Sequence, residues 1–447
     1  MKTNFNIYII GLFMTSLSGA MNAQTNISLV EALGLAKENN KSLQVQKFSE
    51  SVAGERTREL KGAMLPSIGV QGNYSNYFDR QVIFMPGAFA GNDTAPVVDV
   101  AVGGKNTFNT MLTFQQPILS EVARNQLKSA QLNEAVQLQT TKELEAQLVM
   151  EVSVRYYTIL LIDENIQLNR QSLERNLRSL QDSRSLFSQG KALKVDTLSN
   201  FIAVENLKTS TSYLQSQHAV ALLNLKQLIG VSDAQLITLT DKLQLDTSAN
   251  YFSAIDELHG GMIENRPDIQ RQKLVTALSR SLVKQAEAQR LPVLSLVGAY
   301  QLQAQADNLK LGSYKWPSTS YLGLQAAVPI FSGNRINSQI RQTSLNVKQS
   351  EIKLMDETEK AKVEIVSIQS RLMEAMRRLD AQERTVDAAQ QNFKITNDRY
   401  RNGLSSRLEL SDAEIALSEA KLNFTRTVYD INITKLQLDK ALGILTF

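Results

Sequence analysis

The chain has 447 residues, 43% hydrophobic and 21% charged, with a formal net charge of +4. That balance fits a folded protein, and with no Lys/Arg-rich run it excludes an electrostatic footprint for nucleic acid. The chain contains no cysteine, which removes disulfides, thiolate chemistry and Cys-type metal sites. His218 and His259 have no partner at ligand spacing and read as solvated helix residues.

In chain order, Lys2, an apolar run over 7–17 and small residues through Ala23 give the layout of a secretory signal peptide at 1–23. The run is too short to span a bilayer as a helix, which takes about 20 apolar residues. The exported remainder has no longer apolar run, so any membrane insertion has to use strands.

Ser28 and Glu31 form a capping box for a helix expected to reach about residue 62, ended by Leu65-Pro66. Hydropathy then alternates with period two. Ile68, Val70, Gly72 and Tyr74 oppose Gly69, Gln71, Asn73 and Ser75 in a strand over about 67–78. Residues 79–105 read as loop. A second strand over about 106–116 sets Phe108, Thr110, Leu112 and Phe114 against Thr107, Asn109, Met111 and Thr113, and Gln116-Pro117 closes it. These two strands fit either a soluble hairpin with one buried face or a membrane β-barrel with an aromatic girdle.

Residues 120–188 lack Pro and Gly, enough for a helix on the order of 100 Å long. Val152, Ile159, Ile166, Leu173, Leu180 and Phe187 keep a seven-residue repeat, the signature of left-handed coiled-coil packing. After a turn at Gly190 a return helix runs from Val195 to about Ile229, with Gly230 at its C-terminal stop. Residues 231–253 read as a linker.

The pattern then repeats, dividing the mature chain into 24–243 and 244–447. Glu264-Asn265-Arg266-Pro267-Asp268-Ile269 aligns with Glu38-Asn39-Asn40-Lys41-Ser42-Leu43, and Leu291-Pro292 with Leu65-Pro66. Strands are expected over about 293–303 and 320–328. The second long helix carries Ile365, Leu372, Leu379, Val386, Phe393 and Tyr400 in the same phase as the first copy. The Asn402-Gly403 turn follows, and Leu408, Ile415, Leu422, Tyr429 and Leu436 are read as the return seam. Thr209 and Ser216 hold the matching places in the first copy. At the tips Gly190 aligns with Gly403, Phe187 with Tyr400 and Asp196 with Glu409. A tandem helix–strand–strand–helix–helix unit favours the barrel reading of the strands.

Four strands per chain cannot close a barrel, and an open edge cannot sit in lipid with unpaired backbone groups. Several copies must therefore share one barrel; three give 12 strands, within the range of outer-membrane barrels, and 12 packed helices. That describes a conduit. No nucleophile–base pair, phosphate loop or metal cluster is present, so no enzyme, cofactor or metal is expected.

This order of elements resembles the TolC family of outer-membrane efflux proteins, most specifically at Asn265-Arg266-Pro267-Asp268, the two Leu-Pro strand entries and the paired Gly tips with acids beyond. The resemblance covers the whole mature chain. It implies a membrane α+β fold: a TolC-like homotrimer with a 12-stranded barrel in outer-membrane lipid, continued by a 12-helix periplasmic α-barrel. It implies docking to a periplasmic adaptor (membrane fusion) protein and an inner-membrane transporter of the RND type, for small-molecule efflux. A type I protein secretion duct is the alternative, and a pore-free periplasmic coiled-coil scaffold a third. By resemblance Glu409 and Asp412 narrow the periplasmic entrance, and Asp196 and Tyr400 hold it shut. Gly190, Lys191, Gly403, Leu404 and Ser405 form the tips that meet the adaptor. The chain departs from the family's pattern at Ser405, where an arginine of the closing network is expected; Arg401 and Arg407 stand nearby. On residues alone, Glu409 and Asp412 also fit acids placed at a helix N-terminus for its dipole.

Overall fold

The computed structural model describes residues 25–91, 94–245 and 263–447. The signal segment, the end of the expected linker and His259 lie outside the described residues. In order, the elements are β1 (Thr25–Ile27), α1 (Leu29–Asn39), α2 (Lys41–Gly62), β2 (Ser67–Asn76), β3 (Gln81–Met85) and β4 (Val98–Val102). Next come β5 (Asn106–Leu119), α3 (Glu121–Ser188), α4 (Lys194–Ile229), β6 (Ile237–Leu239) and α5 (Pro267–Ala288). The chain ends with β7 (Val293–Ala306), β8 (Ser318–Ala327), α6 (Arg335–Arg401) and α7 (Arg407–Ala441).

Two of the long helices, α3 and α7, begin at hydroxyl caps. Ser120 accepts from the Ala123 amide and Ser406 from the Glu409 amide, each satisfying a donor that the first turn leaves free. α3 and α6 end alike at the tips. Gly190 and Gly403 adopt positive φ, and the next amides, Lys191 and Leu404, reach back to the Leu186 and Arg399 carbonyls at 2.9 and 2.8 Å. That six-to-one closure reverses the chain in a few residues.

Four strands form one antiparallel sheet in the order β2-β5-β7-β8. Its even-numbered face is apolar, with Ile68, Val70, Leu112, Leu322 and Leu324 all exposed, while the opposite face carries Gln71, Asn109, Gln301 and Gln303. β2 and β8 leave both outer edges unpaired. Among the described residues no helix is long and apolar enough to cross a membrane. Two cores lie below the sheet. Leu43, Val152, Tyr156, Ile159, Leu225 and Ile229 fill one, between α1, α2, α3 and α4. Ile269, Ile365, Leu372, Ile431 and Leu438 fill the other, between α5, α6 and α7.

Several expectations need correction. The first helix is two, because Asn40 turns extended, caps the Leu43 amide and donates its amide group to the Leu228 carbonyl at 2.9 Å. Residues 79–105 are more than loop: β3 and β4 pair in register from Gln81↔Val102 to Met85↔Val98, driven by β-branched runs on both arms. The stretch after Gly230 holds β6, which pairs in parallel with β1. β5 runs through Pro117 to Leu119; the ladder to β2 stops at Gln115 and a register shift in the ladder to β7 absorbs the proline.

The largest correction concerns α7. Leu408, Ile415 and Leu422 are exposed, and the buried heptad is Leu410, Leu417, Ile431 and Leu438. In α4 Thr209 and Ser216 are likewise exposed, and the buried positions are Asn200, Val204, Leu225, Lys226 and Ile229. Each return helix also carries apolar residues off its core face, so the period is right and the phase is displaced.

Candidate functional site at the hairpin tips

α3 with α4, and α6 with α7, form two long hairpins, and α3 lies against α7. Within the second hairpin the seam is apolar. Between the hairpins it is polar along its length. Nearest the tips, Arg407 donates from Nε to the Asn200 Oδ1 at 2.6 Å, and Asn200 is 0% exposed. Asn200 also donates to the Ser179 carbonyl on α3 at 3.2 Å, so one amide side chain ties three helices together. Farther along, buried Glu414 accepts from Arg175 at 3.1 Å and from Asn176 at 2.9 Å. Ser172 meets Ser418, and Thr158 meets Tyr429, both at 3.1 Å. Lys440 bonds Gln147 at the far end. Hydrogen bonds exchange with water at modest net cost, so a polar seam of this kind separates more readily than an apolar one.

Glu409 and Asp412 lie exposed on the first turns of α7. The Glu409 amide is capped by Ser406, and its carboxylate accepts from the Ser405 hydroxyl, which holds it below the ordinary carboxylate value. Ser405, where an arginine is expected, thus orients the acid. Asp196 accepts from the Leu193 amide at 3.2 Å and starts α4. Tyr400 is half-buried; burial pushes its hydroxyl upward, Arg407 opposes this, and Asp196 and Asp182 add to it. Asp196, Tyr400 and Arg407 are therefore electrostatic neighbours, although the Asp196 carboxylate is turned to its own helix. Gly190, Lys191, Gly403 and Leu404 are exposed at the tips, and Ser405 is partly covered.

The sequence profile of the outer membrane efflux protein family matches residues 32–231 and 260–444. The chain belongs to that family. It is a channel protein of the cell outer membrane that extends into the periplasm, and its resemblance to TolC proteins holds over nearly the whole chain. It is 22% identical over 416 residues to the alkaline protease secretion protein AprF of Pseudomonas aeruginosa, spanning 90% of this chain and 82% of that one. It is 19% identical over 455 residues to the outer membrane protein TolC of Escherichia coli, spanning 98% and 86%. Among solved structures, VceC of Vibrio cholerae superposes with a TM-score of 0.77 at 16% identity over 93% of this chain and 96% of that one. The CmeC outer membrane channel of Campylobacter jejuni gives 0.73 at 17% over 99% and 94%. At these identities the superpositions establish the TolC-like fold.

Within this efflux-family fold two residues escape sequence reasoning. Asn200 is an uncharged residue in a helix, with no local signal for its role. His218, read as solvated, lies in the α3–α4 seam with Asp163 at 3.2 Å from Nε2, and the hydrogen bond to Asp163 raises its pKa against the effect of burial. The Arg266 of the Asn-Arg-Pro-Asp motif is a structural tie. It forks onto Asp268 at 3.1 and 2.9 Å, reaches Glu364 at 2.8 Å and caps α7 through the Ala441 carbonyl at 3.1 Å.

Proposed function

We propose that three copies close into the outer-membrane exit duct of a tripartite efflux pump, passing small molecules through a helical tunnel to the exterior. The observation that carries this is the four-stranded sheet, which exposes its apolar face and leaves β2 and β8 unpaired. Strand directions alternate across it, so β8 of one copy meets β2 of the next antiparallel and the edges vanish in a 12-strand ring. Glu409 and Asp412 of three copies then ring the periplasmic entrance. Asp196, Tyr400, Asn200 and Arg407 hold the two hairpins of each copy together there. Gly190, Lys191, Gly403, Leu404 and Ser405 present the tips to a periplasmic adaptor bound to an inner-membrane RND-type transporter.

Type I protein secretion is a second reading, supported by the similarity to AprF and to the proteases secretion protein PrtF of Dickeya chrysanthemi. Detergent extraction followed by native mass measurement tests the trimer; a monomer refutes the duct. Gene deletion separates the two cargoes. Increased sensitivity to toxic small molecules with an unchanged secretome supports efflux, and the converse supports secretion.

A further inference from the structure

The β3–β4 ribbon extends the β2–β5 hairpin beyond the sheet, and its surface is unlike that of a solvated loop. From Gln81 to Gly104 the only charged side chains are Asp93 and Asp99. Both faces of β3 are apolar and open, through Val82 and Phe84 on one side and Ile83 on the other; Phe84 is 76% and Phe89 84% exposed. A two-stranded ribbon is marginal alone, and apolar surface of this kind marks a contact with something else.

The return into β5 decides which way the ribbon leans. Gly103 has a φ of 76°, and a Cβ on it would collide with the Gln305 side chain; a Cβ on Gly104 would strike the Ala306 backbone. Gln305 pairs with Thr107 and shares the polar face of the sheet with Gln301 and Gln303. The chain therefore crosses the end of β7 on the polar side, away from the apolar face that meets lipid. Asp307 fixes the crossing by pairing with Arg80 and accepting from the Lys105 amide at 3.1 Å.

We infer that the ribbon is an interface between copies at the exterior mouth of the duct. Three ribbons lean inward and pack Ile83, Phe84 and Phe89 against one another as an apolar plug. The inference rests on the trimeric duct proposed above. Strand spacing and tilt put the wall of a 12-strand ring roughly 12 Å from its axis. A five-residue arm such as β3 spans about 17 Å, so the ribbons reach the centre. Occupation by lipid would need the opposite lean.

The chain contains no cysteine, so Phe89→Cys places a single thiol at the ribbon. Mild oxidation, or a short bis-maleimide, should link this variant into dimers in the purified trimer, and Phe84→Ser with Phe89→Ser should lower severalfold the dose of a bulky external antibiotic needed to stop growth. A trimer in which residue 89 does not cross-link, or in which a fluorophore there is quenched by brominated lipid, overturns the ribbon contact while leaving the duct intact. A monomer overturns both. Unchanged antibiotic sensitivity in the double serine variant, with trimers present in the outer membrane, also overturns the plug.

Discussion

Arg407, at the start of α7, donates to the fully buried Asn200 of α4 at 2.6 Å and so fastens one hairpin tip to the other. Among the described residues a second guanidinium nitrogen of Arg407, Nη1, is buried with no hydrogen-bond partner, which leaves the Nε bond to Asn200 to anchor the side chain. The arginine is the first residue of α7, two beyond Ser405, the position where the resemblance places an arginine.

Asn200→Ala should therefore free the second hairpin at its tip. Loss of a hydrogen bond to a charged group corresponds to about 1.5–3 kcal/mol. The variant should show a higher single-channel conductance, and so should Arg407→Ala, with the double variant no more open than either. Additive effects in that cycle would mean the two residues act apart.

Glu409→Ala combined with Asp412→Ala should weaken cation preference and block by trivalent cations in bilayer recordings, because a ring of carboxylates attracts multivalent cations most strongly. Ser405→Ala should act in the same direction but less, since it removes only the hydroxyl that orients Glu409. Unchanged selectivity in the double variant would take these acids off the conduction path.

The His218–Asp163 pair gives the first hairpin a pH dependence of defined sign. The hydrogen bond to Asp163 raises the histidine pKa above 6.5 in the folded chain. The pair's contribution is therefore fully present below that unfolded value and is lost as pH rises through the folded one. Hydrogen exchange in the middle of α3 and α4, corrected for intrinsic rates, should show firmer protection at pH 6 than at pH 8. His218→Gln should abolish the difference. Equal protection at both pH values in the parent protein would refute it.

Arg266 has 10% of its side chain exposed and bonds two carboxylates and a helix-end carbonyl. Asp268 and Glu364 keep access to water, which screens part of the loss, but removing Arg266 still leaves Asp268 without its countercharge and the Ala441 carbonyl without its donor. Arg266→Ala should lower the unfolding temperature strongly, and Arg266→Lys should recover only part of the loss, since an ammonium cannot reproduce the two-pronged contact. A melting temperature within error of the parent for Arg266→Ala would refute the tie.

Much of the fold is written locally. Period-two runs such as Ile68, Val70, Gly72 and Tyr74 specify strands wherever they are placed, and a stretch from Glu121 to Ser188 without Pro or Gly can hardly be anything but helix. The tips are equally local, because Gly190 and Gly403 supply the positive φ the reversal requires. Glu409 and Asp412 could be picked out because acids just past a tip stand out in sequence. What sequence could not give is phase and partnership. Leu408, Ile415 and Leu422 have the same spacing as Leu410, Leu417, Ile431 and Leu438, yet only the second set is buried. A helix in a layered bundle carries apolar residues on more than one face, so periodicity names the element and leaves its rotation open. Asn200 and Arg407 lie far apart in the chain, and only the docking of α3 against α7 brings them together. The ribbon of β3 and β4 was hidden for a related reason. Its Gly, Pro and Asp residues signal a loop, and the pairing of its β-branched arms depends on strands that begin elsewhere. Sequence by itself determined which elements form and where the chain turns. Tertiary structure decided which faces meet, because burial is a property of two surfaces and the local chain encodes only one of them.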